Sequence, residues 1–201
     1  MPSPRYSAMA VRLAELRRNL LPAKWDATGT YAPRIYDRAL AFRVLAHAEF
    51  ESFIEERALE HVDRAMKAWL AGARAHGCLL ALVAYRTAGG AEPSSILQPP
   101  QKPSPDLRDR VESAFNEYSY YVRRKNNGIK EVNLLRILLP LGIVESDIDQ
   151  QWLSTTEAWA TSRGQSAHSS GKVQVQPDPK HEFDTVKDIK DGFRGIDKLL
   201  K

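Results

Sequence analysis

A single cysteine, Cys78, stands in the 201 residues, which excludes an intrachain disulfide and any multi-cysteine metal site. No segment approaches the roughly 20 apolar residues of a membrane span. The opening stretch, MPSPRYSAMAVRLAELRRNLL, alternates charged and apolar positions where a secretory signal would be continuously apolar. A soluble, cytoplasmic protein with no membrane partner is therefore expected. The β-branched runs that mark strands are scarce, and no phosphate-binding glycine loop is present, which argues against nucleotide hydrolysis. His61, His76 and His181 show no ligand spacing, so no metal site and no cofactor are expected.

What is present is 43% apolar residues, enough for one sizeable core and for a single domain spanning residues 1–201. The net charge of +4 is mild but unevenly placed. Residues 1–45 hold eight Lys/Arg against three Asp/Glu, residues 49–63 six acids against one arginine, and residues 123–136 five bases against one acid. Such segregation suits a polyanion such as RNA on one face, and it equally suits ordinary solvated helix faces.

Nearly every periodic segment repeats at helical spacing, which predicts an all-α fold. A first helix is expected over residues 7–21, with Met9, Leu13, Leu16 and Leu20 on one face and Pro22 ending it. From Arg34 to about Arg74 no proline occurs and no glycine before Gly72, predicting one long helix or two with a bend. Its apolar stripe is Ile35, Ala39, Phe42, Leu45, Ala46 and Phe53, with Glu49 inside it. The run GCLLALVAY is too apolar to be exposed. Five prolines between residues 93 and 105 predict an internal loop at about 90–105.

Beyond that loop a helix capped by Ser104 or Asp106 should close at Asn127 and Gly128, and a short buried helix should end at Pro140 and Gly142. A further helix, capped by Ser146 or Asp147, should present Ile148, Trp152, Thr155 and Trp159 on one face and loosen or end at Gly164. Phe183, Val186, Ile189, Phe193, Ile196 and Leu200 define an amphipathic C-terminal helix.

In TSRGQSAHSS four residues stand between Arg163 and His168. With 18 arginines and five histidines, chance supplies about 0.4 to 0.5 such spacings, so the pair alone is weak. Its setting adds weight. Arg163 continues the stripe of Trp152 and Trp159, where a guanidinium needs a partner or a task. Positions five apart lie about 140° apart on a regular helix, so convergence of the two side chains calls for a break near Gly164.

The R-x4-H at a helix end, together with FRVLAHAEFESFIEERA, KNNGIKEVNLLRILLPLGI and SRGQSAH in that order, resembles the HEPN superfamily and its RiboL-PSP-HEPN branch, over residues 42–168. Many HEPN nucleases place Asn or Asp directly after the arginine, where this chain has Gly164. The resemblance implies a HEPN-like helical bundle and a metal-independent endoribonuclease acting as a toxin or defence effector. Its products would be 2′,3′-cyclic phosphate and 5′-OH ends, with His168 as acid or base and Arg163 gripping phosphate. It also implies a homodimer with a composite active site, RNA as substrate with tRNA as the first guess, and room for an antitoxin or regulatory partner. A non-catalytic HEPN module binding RNA or a protein is the alternative reading, and a plain helical scaffold the third.

Three further residues support that site. Glu49, a carboxylate in an apolar stripe, should have a cationic partner, either Arg163 or, as a purely structural pair, Arg38 or another arginine. His47 and Glu51 lie toward the opposite side, facing solvent or the dimer cleft. In YSYYVRRKNN, Tyr121, Arg123, Arg124 and Lys125 are candidate RNA contacts by stacking and phosphate binding. Inward-packed tyrosines and a basic last turn that complements the helix dipole would produce the same string.

Overall fold

The computed structural model describes residues 1–72, 75–86, 106–168 and 176–201, with the side chains of 163–168 excepted. Among these residues every regular element is helical: α1 (Pro4–Leu20), α2 (Pro33–Leu70), α3 (Gly77–Arg86), α4 (Leu107–Arg124), α5 (Glu131–Leu138), α6 (Gln150–His168) and α7 (Pro179–Leu199). The all-α expectation holds. No helix among the described residues is long and apolar enough to cross a membrane. The proline-rich loop expected at about 90–105 lies outside the described residues.

The 38 residues of α2 form one helix without a break, and the other elements are arranged around it. α1 runs antiparallel to it, since Arg5 pairs with Glu56 and Glu60 while Arg12 reaches back to Glu49. α7 runs parallel to it. Arg43 pairs with Glu182 and Arg57 with Asp197, so fourteen residues on one helix match fifteen on the other, each spanning about 21 to 22 Å. Helix starts follow the expected chemistry with small shifts. Ser3 caps α1 ahead of Pro4, and Asp106 caps α4 in a reciprocal box with Asp109. Neither Ser146 nor Asp147 caps α6: residues 145–147 form a 3₁₀ turn, and Asp149 Oδ1 accepts from the N–H groups of Gln151 and Trp152 at 2.9 and 3.0 Å.

The core is one apolar cluster that draws on all seven helices. Its position corrects the expected stripe of α2. Because α2 is central, its buried arc runs through Arg43, Ala46, His47, Phe50, Ile54, Arg57 and His61. Leu45 falls outside that arc and faces solvent. α3 is likewise less buried than its composition suggests: Cys78, Leu79 and Leu82 point inward, whereas Leu80 and Tyr85 are exposed. On α6 the inward residue is Thr156, beside Trp152 and Trp159, with Thr155 only half-buried.

Asp197 couples the chain's two ends, accepting from Arg57 Nε at 2.8 Å and from the Ser3 N–H at 2.8 Å. Burial acts to raise its carboxyl, but the bonds from Ser3 and Arg57 outweigh burial and hold it below the ordinary carboxylate range. A carboxyl depressed on folding contributes stability that is present above its unfolded value of about 3.9 and is lost as the pH falls through the folded value. Urea unfolding of Asp197→Asn should therefore show a flatter decline of stability below about pH 4 than the parent. Equal slopes in the two proteins would contradict this account.

Candidate functional site

A buried polar cluster is built around the first half of α2. Glu182, only 2% exposed, accepts from Arg43 Nε at 2.9 Å, from Arg43 Nη2, and from Trp159 Nε1 at 3.0 Å. A buried carboxylate is tolerated when paired and hydrogen-bonded, and here one arginine fork and one indole satisfy it. The three residues come from α2, α7 and α6, so the cluster fixes the rotation of all three helices relative to one another.

One turn farther along α2, His47 is 2% exposed, and its ring stacks on Trp159 with centroids 5.9 Å apart and planes at 25°. Gly128 closes the other side. It adopts φ +112°, and a Cβ there would stand 3.4 Å from His47 Cε1, so both backbone conformation and closeness favour glycine. Glu51 ties the two together: its Oε1 accepts from the Gly128 N–H, and its Oε2 lies 3.7 Å from His47 Nδ1. Asn126 extends the network by donating to Glu55 at 2.7 Å and to the Gly128 carbonyl at 3.2 Å, while Asn133 donates to Asn126. Burial raises the Glu55 carboxyl above its usual range; the Asn126 bond opposes this, and Glu51 and Glu56 add to it. The KNNG turn is thus held to the acidic stretch of α2 by hydrogen bonds.

This cluster adjoins the part of α6 that bears the motif. Glu157 accepts from the Glu131 N–H at 2.7 Å and from Thr161 Oγ1 at 3.2 Å, joining the segment after the KNNG turn to the last turns of α6. Position 163 lies four residues beyond Trp159, about 6 Å farther along the helix axis. The expected break at Gly164 does not occur, since α6 continues through it to His168. Positions 163 and 168 therefore stay about 140° apart on one helix. The side chains of Arg163 and His168 lie outside the described residues.

The remaining predicted residues divide. Glu49 is half-buried at the α1–α2 margin and pairs with Arg12 Nε at 3.6 Å, so it is not a carboxylate enclosed in an apolar stripe. Of the structural alternatives, Arg38 instead donates to the Asn19 carbonyl, and the pair with another arginine is the one observed, through Arg12. His47 is buried and does not face solvent, because the arc of α2 covered by α6 and the KNNG turn includes it; Glu51 is partly buried beside it. Tyr118 packs inward and donates to the Ile137 carbonyl at 3.0 Å, Tyr121 is half-buried, and Tyr120 is exposed. Arg123, Arg124 and Lys125 are exposed, and Lys125 Nζ lies 5.9 Å over the Tyr120 ring.

Sequence reasoning passes over Arg43, Glu182 and Asn126 and reads Trp159 only as part of an apolar face. The signal for Glu182 was present: it stands four residues before Val186, in the same stripe as Ile189, Phe193 and Ile196. A charge in such a stripe needs a partner, and Arg43 occupies the corresponding position on α2. No protein-family model, no curated protein and no solved structure matches this chain.

Proposed function

We propose that the protein is a HEPN-like, metal-independent endoribonuclease with Arg163 and His168 as its catalytic residues. One observation carries the reading: the end of α6 that bears the R-x4-H follows Trp159 of a buried cluster of Arg43, His47, Trp159 and Glu182, and the exposed bases Arg123, Arg124 and Lys125 lead into the KNNG turn that packs on His47. The bases and Tyr120 offer phosphate contacts and a stacking face for RNA. Arg163 holds the scissile phosphate and His168 moves the proton, so that the ribose 2′-OH attacks phosphorus and the 5′-oxygen leaves, giving a 2′,3′-cyclic phosphate and a 5′-OH. His47 is too deeply buried to touch RNA. It acts, with Glu51, as a positioning residue for the KNNG turn and for Trp159.

A continuous α6 separates positions 163 and 168 by about 140°, which favours a composite site in which two copies each contribute an arginine and a histidine. The second reading, a non-catalytic module that binds RNA or a protein, also draws on this continuity, because one chain alone would not converge its pair. A toxin or defence role, tRNA as substrate and control by an antitoxin belong to the proposal as extensions of the HEPN likeness.

The test uses purified wild type, Arg163→Ala and His168→Ala on total RNA in the presence of EDTA, with product ends mapped and oligomeric state measured. Cleavage to cyclic phosphate ends by a dimeric wild type, lost in both variants, is expected. Cleavage that survives both substitutions, or that EDTA abolishes while circular dichroism shows the fold intact, would overturn the mechanism, and full activity of a strict monomer would overturn the composite site. RNA binding without cleavage, weakened by replacing Arg123, Arg124 and Lys125, would establish the second reading instead.

A further inference from the structure

At the far end of α2, away from this cluster, the buried His61 meets two residues from the start of α3, the exposed His76 and the buried Cys78. One ligand-capable atom from each of the three lies within 4.8 Å of the others. The His61 and His76 rings stand edge to face, with centroids 5.4 Å apart. We propose that His61, His76 and Cys78 form a site for a zinc-type cation, with a fourth position left to solvent or an added ligand. Two imidazoles and one thiolate are a soft donor set that suits Zn²⁺ and disfavours Mg²⁺ or Ca²⁺.

Each ligand is prepared in a recognisable way. His61 Nδ1 is 3.1 Å from the Leu200 carbonyl, an acceptor shared with Arg64 Nη2 at 2.9 Å. With its proton on Nδ1, the ring is left with a Nε2 lone pair, the backbone-supported arrangement common to metal-bound histidines. Cys78 lies in the first turn of α3, where the helix terminus favours a thiolate. Without a cation, burial pushes its thiol up to about 12; a bound cation supplies the missing charge, and the thiol proton passes to water as the Zn–S bond forms. His76 Nδ1 faces the Cys78 N–H at 3.3 Å, a long bond that coordination would replace.

Zn–N and Zn–S bonds of about 2.0 and 2.3 Å in a tetrahedron place neighbouring ligand atoms about 3.3 to 3.5 Å apart, so atoms that already lie within 4.8 Å of one another close by no more than about 1.5 Å. His76 is exposed and precedes the helix, which makes it the ligand that moves. His61 lies fourteen residues along α2 from His47, about 21 Å, so the ion joins α2, α3 and the Leu200 carbonyl without reaching the proposed cleavage site.

The full chain, free of any tag, reduced and stripped of metal, should bind one equivalent of Zn²⁺. With Co²⁺ as the probe it should show a thiolate-to-cobalt charge-transfer band in the near ultraviolet. Cys78→Ser should abolish that band, and His76→Ala, at a surface position, should weaken Zn²⁺ binding at least about tenfold with its circular dichroism unchanged. Zinc should raise the melting temperature of wild type and not of His76→Ala. No stoichiometric binding, a cobalt spectrum without the thiolate band, or binding that survives both substitutions would each overturn the site.

Discussion

Glu182→Ala is expected to lower folding stability by about 3–5 kcal/mol, the cost of leaving a buried charge without its partner. Arg43 is 8% exposed, and its fork closes on both oxygens of Glu182, so alanine strands a guanidinium where water cannot readily replace the carboxylate. The same change takes the acceptor from Trp159 Nε1, a buried donor whose loss of a partner by itself costs about 1–3 kcal/mol. Glu182→Gln keeps the shape and one carbonyl oxygen, and should fall between wild type and alanine. Replacing both ends, Arg43→Met with Glu182→Leu, should recover most of the loss, because a buried pair is stabilising only relative to its own half. Urea unfolding of the three variants measures this. A cost below about 1 kcal/mol for Glu182→Ala would mean that Arg43 finds other solvation and that the cluster does not hold α2, α6 and α7 together.

These two residues also show where the sequence was readable and where it was not. The stripes of α1 and α7 were legible because each of these helices buries one face, and apolar periodicity reports one face well. α2 defeated the same reasoning. A helix covered on several sides buries more than one stripe, so its visible apolar residues give an arc whose centre is displaced: Leu45 and Glu49 fall too far in and His47 too far out, and Arg43 is not assigned a side at all. The two arginine–carboxylate pairs to α7 lie within buried stripes on both helices and are recoverable by asking of Arg43, Arg57, Glu182 and Asp197 what is asked of Glu49 and Arg163.

Gly164 failed as a stop signal for an energetic reason. One glycine inside a helix costs about 1 kcal/mol relative to alanine, which packing of the preceding turns can outweigh. The grouping of His61, His76 and Cys78 is beyond sequence reading, because fourteen residues and a change of helix lie between His61 and His76. Only the return of the chain at the end of α2 brings them together.

Gly192→Ala should destabilise the protein by about 3 kcal/mol, opposite in sign to what helix propensity alone dictates. Within a helix, alanine ordinarily improves on glycine by about 0.5–1 kcal/mol. At position 192 a Cβ would stand 2.0 Å from Trp152 Cδ1 and 2.3 Å from Cγ and Nε1, inside the volume of the indole. The ring cannot swing aside at small cost, because Nε1 donates to the Ile189 carbonyl at 3.0 Å and Phe193 meets the ring edge to face with centroids 5.1 Å apart. Close approach of α6 to α7 therefore rests on the missing side chain. Gly195, three residues on, is the internal control: a Cβ there meets nothing within 4 Å, so Gly195→Ala should stabilise by about 0.5–1 kcal/mol. Trp152→Leu should cost stability by itself yet relieve part of the Gly192→Ala defect, a non-additivity expected only if the two side chains compete for one space. Urea midpoints for the two glycine variants decide the matter: equal gains at 192 and 195 would show that α7 stands off from α6 and that the Trp152 contact does not set their spacing.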